Sequence, residues 1–279
     1  MLTLIRYELL KTYRKMRTYI GFGLIAVITP IIYWGLSVGG DDMVNGMTRG
    51  LQKDFVFVGS LFNGWFVGHL VMNTLFVQIP FLIALVAGDV FAGEATGGTF
   101  RILLTRPPSR SRIFLVKALS TVIYVVSLVA FLGFFTLTLG AFWFGGGSLL
   151  SYGEAGVTIF AEGDILWRFI LAYALGAWGM CTVAALAMLL SSLVENAVGP
   201  IIGTLAIVIL FLVLGNLPFA FFENLRPWFF TTYFSVWMQA FGDPVDWSRI
   251  AKEIFYLGLY FFGLTGITWT FFRRKDILS

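Results

Sequence analysis

Six apolar stretches, each about as long as a bilayer is thick, constrain this chain more than any other feature. They cover residues 18–38, 66–87, 114–143, 167–190, 197–216 and 251–272. A helix needs roughly 20 apolar residues to cross the hydrocarbon core, and only helices or closed barrels can span a bilayer. The sequence therefore predicts an all-α integral membrane protein with six transmembrane helices, folded as one transmembrane domain over residues 1–279.

The composition excludes the usual soluble classes. Hydrophobic residues make up 58% of the 279 positions and charged residues only 12%, about half the share found in an ordinary soluble domain. The single cysteine, Cys181, lies within an apolar stretch, which excludes a scaffold held by intrachain disulfides. The net charge of +4 is interpreted as a topology signal rather than as a sign of a nucleic-acid partner.

The basic residues predict the orientation of the chain. Thirteen of the 19 Lys and Arg residues lie before the first stretch, between the second and third or at the start of the third, or after the sixth. Lys and Arg concentrate on the cytoplasmic side of membrane proteins. We therefore expect a multi-pass protein of the cytoplasmic (inner) membrane with both termini in the cytoplasm.

Two segments outside the stretches are expected to lie along the membrane surface. Apolar residues recur at spacings of three and four over residues 1–17, with charged residues on another face. This pattern predicts an N-terminal amphipathic interfacial helix, although a simple basic anchor is the alternative. The segment Phe55–Phe62 is predicted to be a second interfacial piece.

The loop between the second and third stretches is the longest predicted cytoplasmic connection. Thr99 can cap a short helix that runs to Thr105, and Pro107 ends it because the residue before a proline avoids the α region. A short helix held between a Gly pair and a Pro pair is suited to docking a partner. The alternative is a solvated basic turn that only enforces topology, and the residues alone leave the two open.

The residues of this loop resemble the first cytoplasmic loop of ABC-2-type permeases, the membrane subunits of one class of ATP-binding-cassette exporters. The shared pattern is an acidic residue, Gly-Thr, a short Leu-rich helix, Pro, a small residue, Arg, and a Lys that begins the third span. The N-terminal segment 4–10, the six-span topology and the length also resemble the family. The residues that the resemblance assigns to ATPase coupling are Glu94, Gly98, Thr99, Arg101, Leu103, Leu104, Thr105, Pro107 and Arg110.

The resemblance implies a permease that moves a substrate out of the cell with ATP hydrolysed by a separate subunit. The loop helix would be the coupling helix on which one of two ATPase copies docks, and a second permease subunit, identical or related, would complete the transporter. The chain has no phosphate-binding G-x-x-x-x-G-K-[ST] sequence. ATP and Mg are therefore expected on the partner, and this chain is not expected to be an enzyme.

The segment between the fifth and sixth stretches, residues 217–250, carries eleven aromatic residues. Pro218 and Pro227 divide it into pieces too short to cross a bilayer, so we expect short re-entrant or interfacial helices. The resemblance implies an outer gate there, with Phe229, Tyr233 and Trp237 as candidates. The alternative is an interfacial aromatic belt without a gating role.

Catalytic chemistry finds little support in the sequence. His69 and Asn73 lie one helical turn apart in the second stretch and are candidates for a cavity-facing position. Neither a catalytic constellation nor a metal site is expected, because His69 has no acidic residue nearby and Cys181 lies far along the chain. Two other function classes stay open. One is a membrane-embedded enzyme or scaffold without an ATPase partner. The other is an ion-driven secondary transporter, for which interrupted spans would be the expected sign, and the sequence predicts none.

Overall fold

The computed structural model describes residues 1–48, 62–96, 109–153 and 156–274. Most of these residues are helical. The chain begins with α1 (Leu2–Arg14), which leads through Lys15 into α2 (Met16–Thr48). The predicted interfacial piece, except for Phe62, and the predicted coupling helix lie outside the described residues.

The long helices coincide with the predicted apolar stretches. They are α2, α3 (Gly64–Phe76), α4 (Ile79–Ala87), α6 (Arg110–Phe144), α7 (Ile165–Leu193), α8 (Val198–Asn216) and α10 (Trp247–Arg274). The short helix α5 (Ala92–Thr96) lies between α4 and α6. Within the described residues, five of these helices are long and apolar enough to cross a membrane. The count becomes six if the bent pair α3 and α4 forms one span. The prediction of a predominantly helical, multi-pass membrane protein is confirmed at this level.

The second predicted span is interrupted, contrary to the expectation from sequence. Helices α3 and α4 meet at an angle of 48°. Pro80 lies in the first turn of α4, where it cannot donate a backbone hydrogen bond and favours a new helix start over continuation of the old one. The Gln78 amide donates to the Leu75 carbonyl at 2.8 Å, so the break is a tight turn.

Helix α7 lies at the centre of the bundle. Of its most apolar window 78% is buried inside the chain, against 17% for the corresponding windows of α8 and α10. Small residues allow neighbouring helices to approach closely. A Cβ atom on Gly140 of α6 would lie 2.7 Å from the carbonyl oxygen of Gly64 in α3. These two helices therefore meet backbone to backbone.

A short antiparallel hairpin departs from the all-α prediction. Strand β1 (Leu149–Gly153) pairs with β2 (Gly156–Phe160), with Leu149 opposite Phe160. The preceding Gly-rich turn, residues 145–148, is hydrogen-bonded to the start of α3. The Gly64 amide donates to the Gly145 carbonyl at 3.0 Å, and the Asn63 side chain donates to the Ser148 carbonyl at 2.6 Å. We call this side of the bundle the hairpin end.

Short helices fill the segment between α8 and α10. They are α9 (Ala220–Leu225), a 3₁₀ turn (Arg226–Trp228) and a 3₁₀ helix (Phe230–Phe241). Arg168 of α7 secures the last of these, since its guanidinium donates to the carbonyls of Ala240 and Gly242 at 3.0 and 2.7 Å. The described residues of this segment therefore form short helices, and their re-entrant or interfacial placement stays a prediction.

Candidate functional site

Seven charged residues converge at the end of the bundle opposite the hairpin, which we call the basic end. They come from α1, the start of α2, the segment after α4, and α6. Together we call them the charge cluster: Glu8, Lys11, Lys15, Arg17, Asp89, Glu94 and Lys117. Burial of charges is costly unless they are paired and hydrogen-bonded, so the pairing decides whether this arrangement is stable.

Lys117 is the centre of the charge cluster. Its side chain is only 1% exposed, and its Nζ atom lies 2.8 Å from Glu8 Oε1 and 2.7 Å from Glu94 Oε1. It also donates to the Val90 carbonyl at 3.3 Å and lies 5.9 Å from the centre of the Phe91 ring. An ammonium group has three N–H donors, and all three find acceptors here.

Glu94 receives two cations. Its side chain is 3% exposed and pairs with Lys117 at 2.7 Å and with Lys11 of α1. Burial acts to raise the pKa of Glu94, but the charges and hydrogen bonds of Lys117 and Lys11 outweigh it, so the pKa lies below its ordinary value of 4.5. Glu94 is thus held as a carboxylate in the interior.

Asp89 forms the second half of the cluster. It follows directly on α4 and pairs with Lys15 at 2.7 Å and Arg17 at 2.8 Å. Lys15 joins α1 to α2, and Arg17 is the second residue of α2. The end of α4 is therefore joined by ion pairs to the junction of α1 and α2.

We call the connection between α5 and α6 the basic loop. Further contacts fix the residues on both sides of this loop to the bundle. On one side, the Ser191 hydroxyl of α7 accepts the amides of Phe91 and Ala92 at 3.1 and 2.9 Å. On the other side, the Trp269 indole of α10 donates to the Ser111 hydroxyl at 3.2 Å. The Phe272 ring packs between the two sides, 5.2 Å from that of Phe91.

The predicted coupling residues divide into two groups. Residues 98–107 lie outside the described residues, so the structure bears only on Glu94 and Arg110. Glu94 is buried within the charge cluster rather than presented at the surface. Arg110 begins α6 and donates to the Arg273 carbonyl at 3.2 Å.

The main cluster partners were missed by sequence reasoning. Glu8 and Lys11 were interpreted as charges on one face of a surface helix, and Asp89 was given no role. The available signal was the coincidence of acidic residues with basic ones at three chain segments predicted to share the cytoplasmic face. At the start of α8, the Asn196 side chain accepts the Val198 amide at 3.0 Å.

The candidate gate residues occupy different environments at the hairpin end. Trp237 is 3% exposed, with its ring 5.3 Å from that of Phe76. Phe229 stacks on Phe211 of α8 at 4.8 Å. Tyr233 stacks on Tyr256 of α10 at 5.0 Å. All three join the 226–241 segment to the bundle, so they are packing residues whatever their role in gating.

His69 and Asn73 also differ from each other. His69 is enclosed by aromatic rings, with that of Phe241 at 4.5 Å. The Asn73 side chain donates to the His69 carbonyl at 3.0 Å and lines an open cavity of about 690 Å³ together with Trp237. Of the two cavity candidates, Asn73 is at the cavity and His69 lies in the core behind it. Within the described residues, no group of three His, Cys, Asp or Glu side chains is placed to hold a metal ion.

Comparison with known proteins gives a family without a known activity. A family model described as a protein of unknown function (DUF2705) matches residues 46–278. Among curated proteins, no match is found.

Proposed function

The chain belongs to the DUF2705 family, and we propose that it is the transmembrane permease subunit of an ABC-2-type exporter. It would move its substrate across the cytoplasmic membrane with ATP hydrolysed by a separate ATPase subunit. Six spans, with α3 and α4 as one bent span, would place both termini and the basic loop in the cytoplasm. A second permease subunit and two ATPase copies would complete the assembly.

The charge cluster is the observation that carries this proposal. An exporter of this kind must convert movement of a cytoplasmic partner into movement of several helices. Lys117 in the second turn of α6 and Glu94 in the short helix before the basic loop lie on opposite sides of that loop and pair at 2.7 Å. Lys11 and Glu8 add α1 to the same unit. A push on the loop would therefore reach α1, the bent span and α6 together.

The outer short helices would serve as the gate of this transporter. The 3₁₀ helix Phe230–Phe241 packs on α7 through Arg168 and on α10 through Tyr233. Tilting of these helices when ATP closes the attached ATPases would shift the aromatic segment and open or close the outer side, as in rigid-body switching. Phe229, Tyr233 and Trp237 are the residues that would move.

The interrupted second span favours one rival, an ion-driven secondary transporter. Such transporters place ionisable groups or exposed backbone carbonyls at the break to bind the coupling ion. Here the break lies at Val77 and Gln78, and neither is ionisable. In the described spans, the carboxylate of Glu253 lies in the second turn of α10 and pairs with Arg249 at 3.0 Å. The charge distribution in these spans therefore favours the exporter over the ion-driven secondary transporter.

The test is co-purification with an ATP-binding-cassette ATPase encoded beside the gene. The double variant Arg101→Glu with Leu104→Asp reverses a charge and removes an apolar contact on the predicted coupling helix. We expect it to lose the ATPase, because removal of one member of a desolvated charge pair typically costs about 2–5 kcal/mol. The matched control is Arg274→Glu, a charge reversal on an exposed residue of the same end, which should retain the ATPase.

ATP turnover and export in lipid vesicles complete the measurement. Retention of the ATPase and normal export by the double variant would contradict the coupling role of the loop. Transport that persists without any ATPase and follows an ion gradient would instead identify the secondary transporter.

A further inference from the structure

The cavity beside Asn73 runs from the hairpin end towards the middle of the bundle. It lies between the bend of α3 and α4, helices α7 and α8, and the 3₁₀ helix Phe230–Phe241. Its volume of about 690 Å³ falls within the range of roughly 300–1,000 Å³ that is usual for small-molecule sites. It is therefore large enough to hold a ligand rather than a few water molecules.

The cavity is polar and basic at its outer end. Arg226 follows directly on α9, and Arg249 lies in the first turn of α10. Both line the cavity. Arg249 is paired with Glu253 at 3.0 Å. No ion pair within the described ranges includes Arg226. Its Nε atom is buried and lacks a hydrogen-bond acceptor among those residues.

The inner end of the cavity is apolar. Phe76 and Pro80 line it at the bend of the second span, and Met180 lines it from α7. Met180 lies fifteen residues after Ile165, the first residue of α7, which is roughly 22 Å along a helix that rises 1.5 Å per residue. The cavity thus changes from cationic at Arg226 and Arg249 to apolar at the bend of the second span.

We infer that this cavity binds an amphiphile with an anionic headgroup, the headgroup on Arg226 and the apolar chain at the bend. Arg226 lines the cavity without an ion-pair partner among the described residues, and a phosphate or carboxylate would pair with its guanidinium through charge-assisted hydrogen bonds. The apolar walls would bury the chain through the hydrophobic effect. A headgroup without a phosphate or carboxylate would leave the Arg226 guanidinium without an ionic partner.

This inference goes beyond the proposed function, because binding to the isolated chain needs no ATPase. That the amphiphile is also the exported substrate would rest on the proposed function. A failed co-purification with the ATPase therefore leaves the binding result intact, and the reverse also holds.

The test is native mass spectrometry of the purified chain in a neutral detergent. The probes are lysophosphatidic acid and a monoacylglycerol with the same acyl chain, which lacks the phosphate. We expect the anionic lipid to bind at least about tenfold more tightly, as loss of a hydrogen bond to a charged group implies. Arg226→Gln should remove that preference, and Arg226→Lys should retain part of it because the charge remains.

Two further variants separate the cavity from general lipid binding. Gly215 lines the cavity, and a Cβ atom there would meet only Phe229 at 3.9 Å. Gly215→Leu should therefore fill the space and weaken both lipids. Arg274→Gln removes an exposed cation from the basic end and should change neither affinity.

Equal affinities of the two lipids for the unaltered chain would overturn the inference. An undiminished preference in a folded Arg226→Gln variant would overturn it as well. A titration with diacyl phosphatidic acid identifies the source of the ligand. Equally tight binding would support a membrane lipid as the occupant, and binding of the single-chain form alone would support a free amphiphile.

Discussion

Replacement of Lys117 by Met tests the charge cluster most directly. Met preserves most of the side-chain volume and removes the charge. Glu8 and Glu94 therefore both lose the Lys117 ammonium group, whose side chain is only 1% exposed. Glu94 would remain 97% buried with Lys11 as its remaining cation in the cluster. Loss of one partner of a buried ion pair typically costs about 3–5 kcal/mol. We expect a destabilisation of that size.

The expected shift is large enough to measure. For chains of this size, 1 kcal/mol shifts the melting temperature by about 2–4 °C. The variant should therefore melt roughly 6–20 °C lower when unfolding in neutral detergent is followed by tryptophan fluorescence. Lys15→Met is the matched control. It removes a cluster cation that is 40% exposed and leaves Asp89 paired with Arg17, so its cost should stay below about 1 kcal/mol.

The double variant Lys117→Met with Glu94→Gln provides the decisive comparison. Because it also removes the buried carboxylate, it should be more stable than Lys117→Met alone, with a coupling energy of roughly 0.5–3 kcal/mol. A Lys117→Met variant that melts within about 2 °C of the unaltered chain would refute the reasoning. So would a double variant whose loss equals the sum of the two single losses.

Three further predictions concern the pH dependence, the helix packing and the topology. Because the folded pKa of Glu94 lies below 4.5, its contribution to the stability of the fold should be present above about pH 4.5 and be lost as the pH falls through the folded pKa. The melting temperature of Glu94→Gln should therefore fall less steeply in acid than that of the unaltered chain. Identical pH profiles of the two melting temperatures would contradict this. Gly140→Ala should destabilise the fold by about 1–3 kcal/mol through overpacking against the α3 backbone. The control Gly35→Ala, whose added Cβ atom meets nothing within 4 Å, should be neutral or stabilising by up to about 1 kcal/mol. Equal melting temperatures of the two variants would count against the close contact of α3 and α6. Cysteines placed at the exposed positions Ser109 and Gly163 should react with an impermeant thiol reagent from the cytoplasmic and external sides respectively, and labelling of both from one side would exclude the six-span topology.

The positions of the helices could be predicted from sequence because the requirement is local. A run of about 20 apolar residues has few alternatives to a membrane-spanning helix, so the predicted stretch 197–216 and the observed α8 (Val198–Asn216) differ by one residue at one end. The short helices between α8 and α10 were predicted for the same kind of reason, since Pro218 and Pro227 prevent a continuous helix. The β1–β2 hairpin was missed because no strong turn signal separates its strands.

The sequence by itself therefore determined the helical, multi-pass character of the chain and the concentration of positive charge at one end. The tertiary structure decided which charges meet. Lys117 pairs with Glu8 across 109 positions of the chain, and no local pattern specifies such a contact. The cavity between the bent span and the 3₁₀ helix likewise depends on how distant helices pack. Span formation follows from the free energy of each segment in a bilayer, whereas pairing follows from close packing of segments that are remote in sequence.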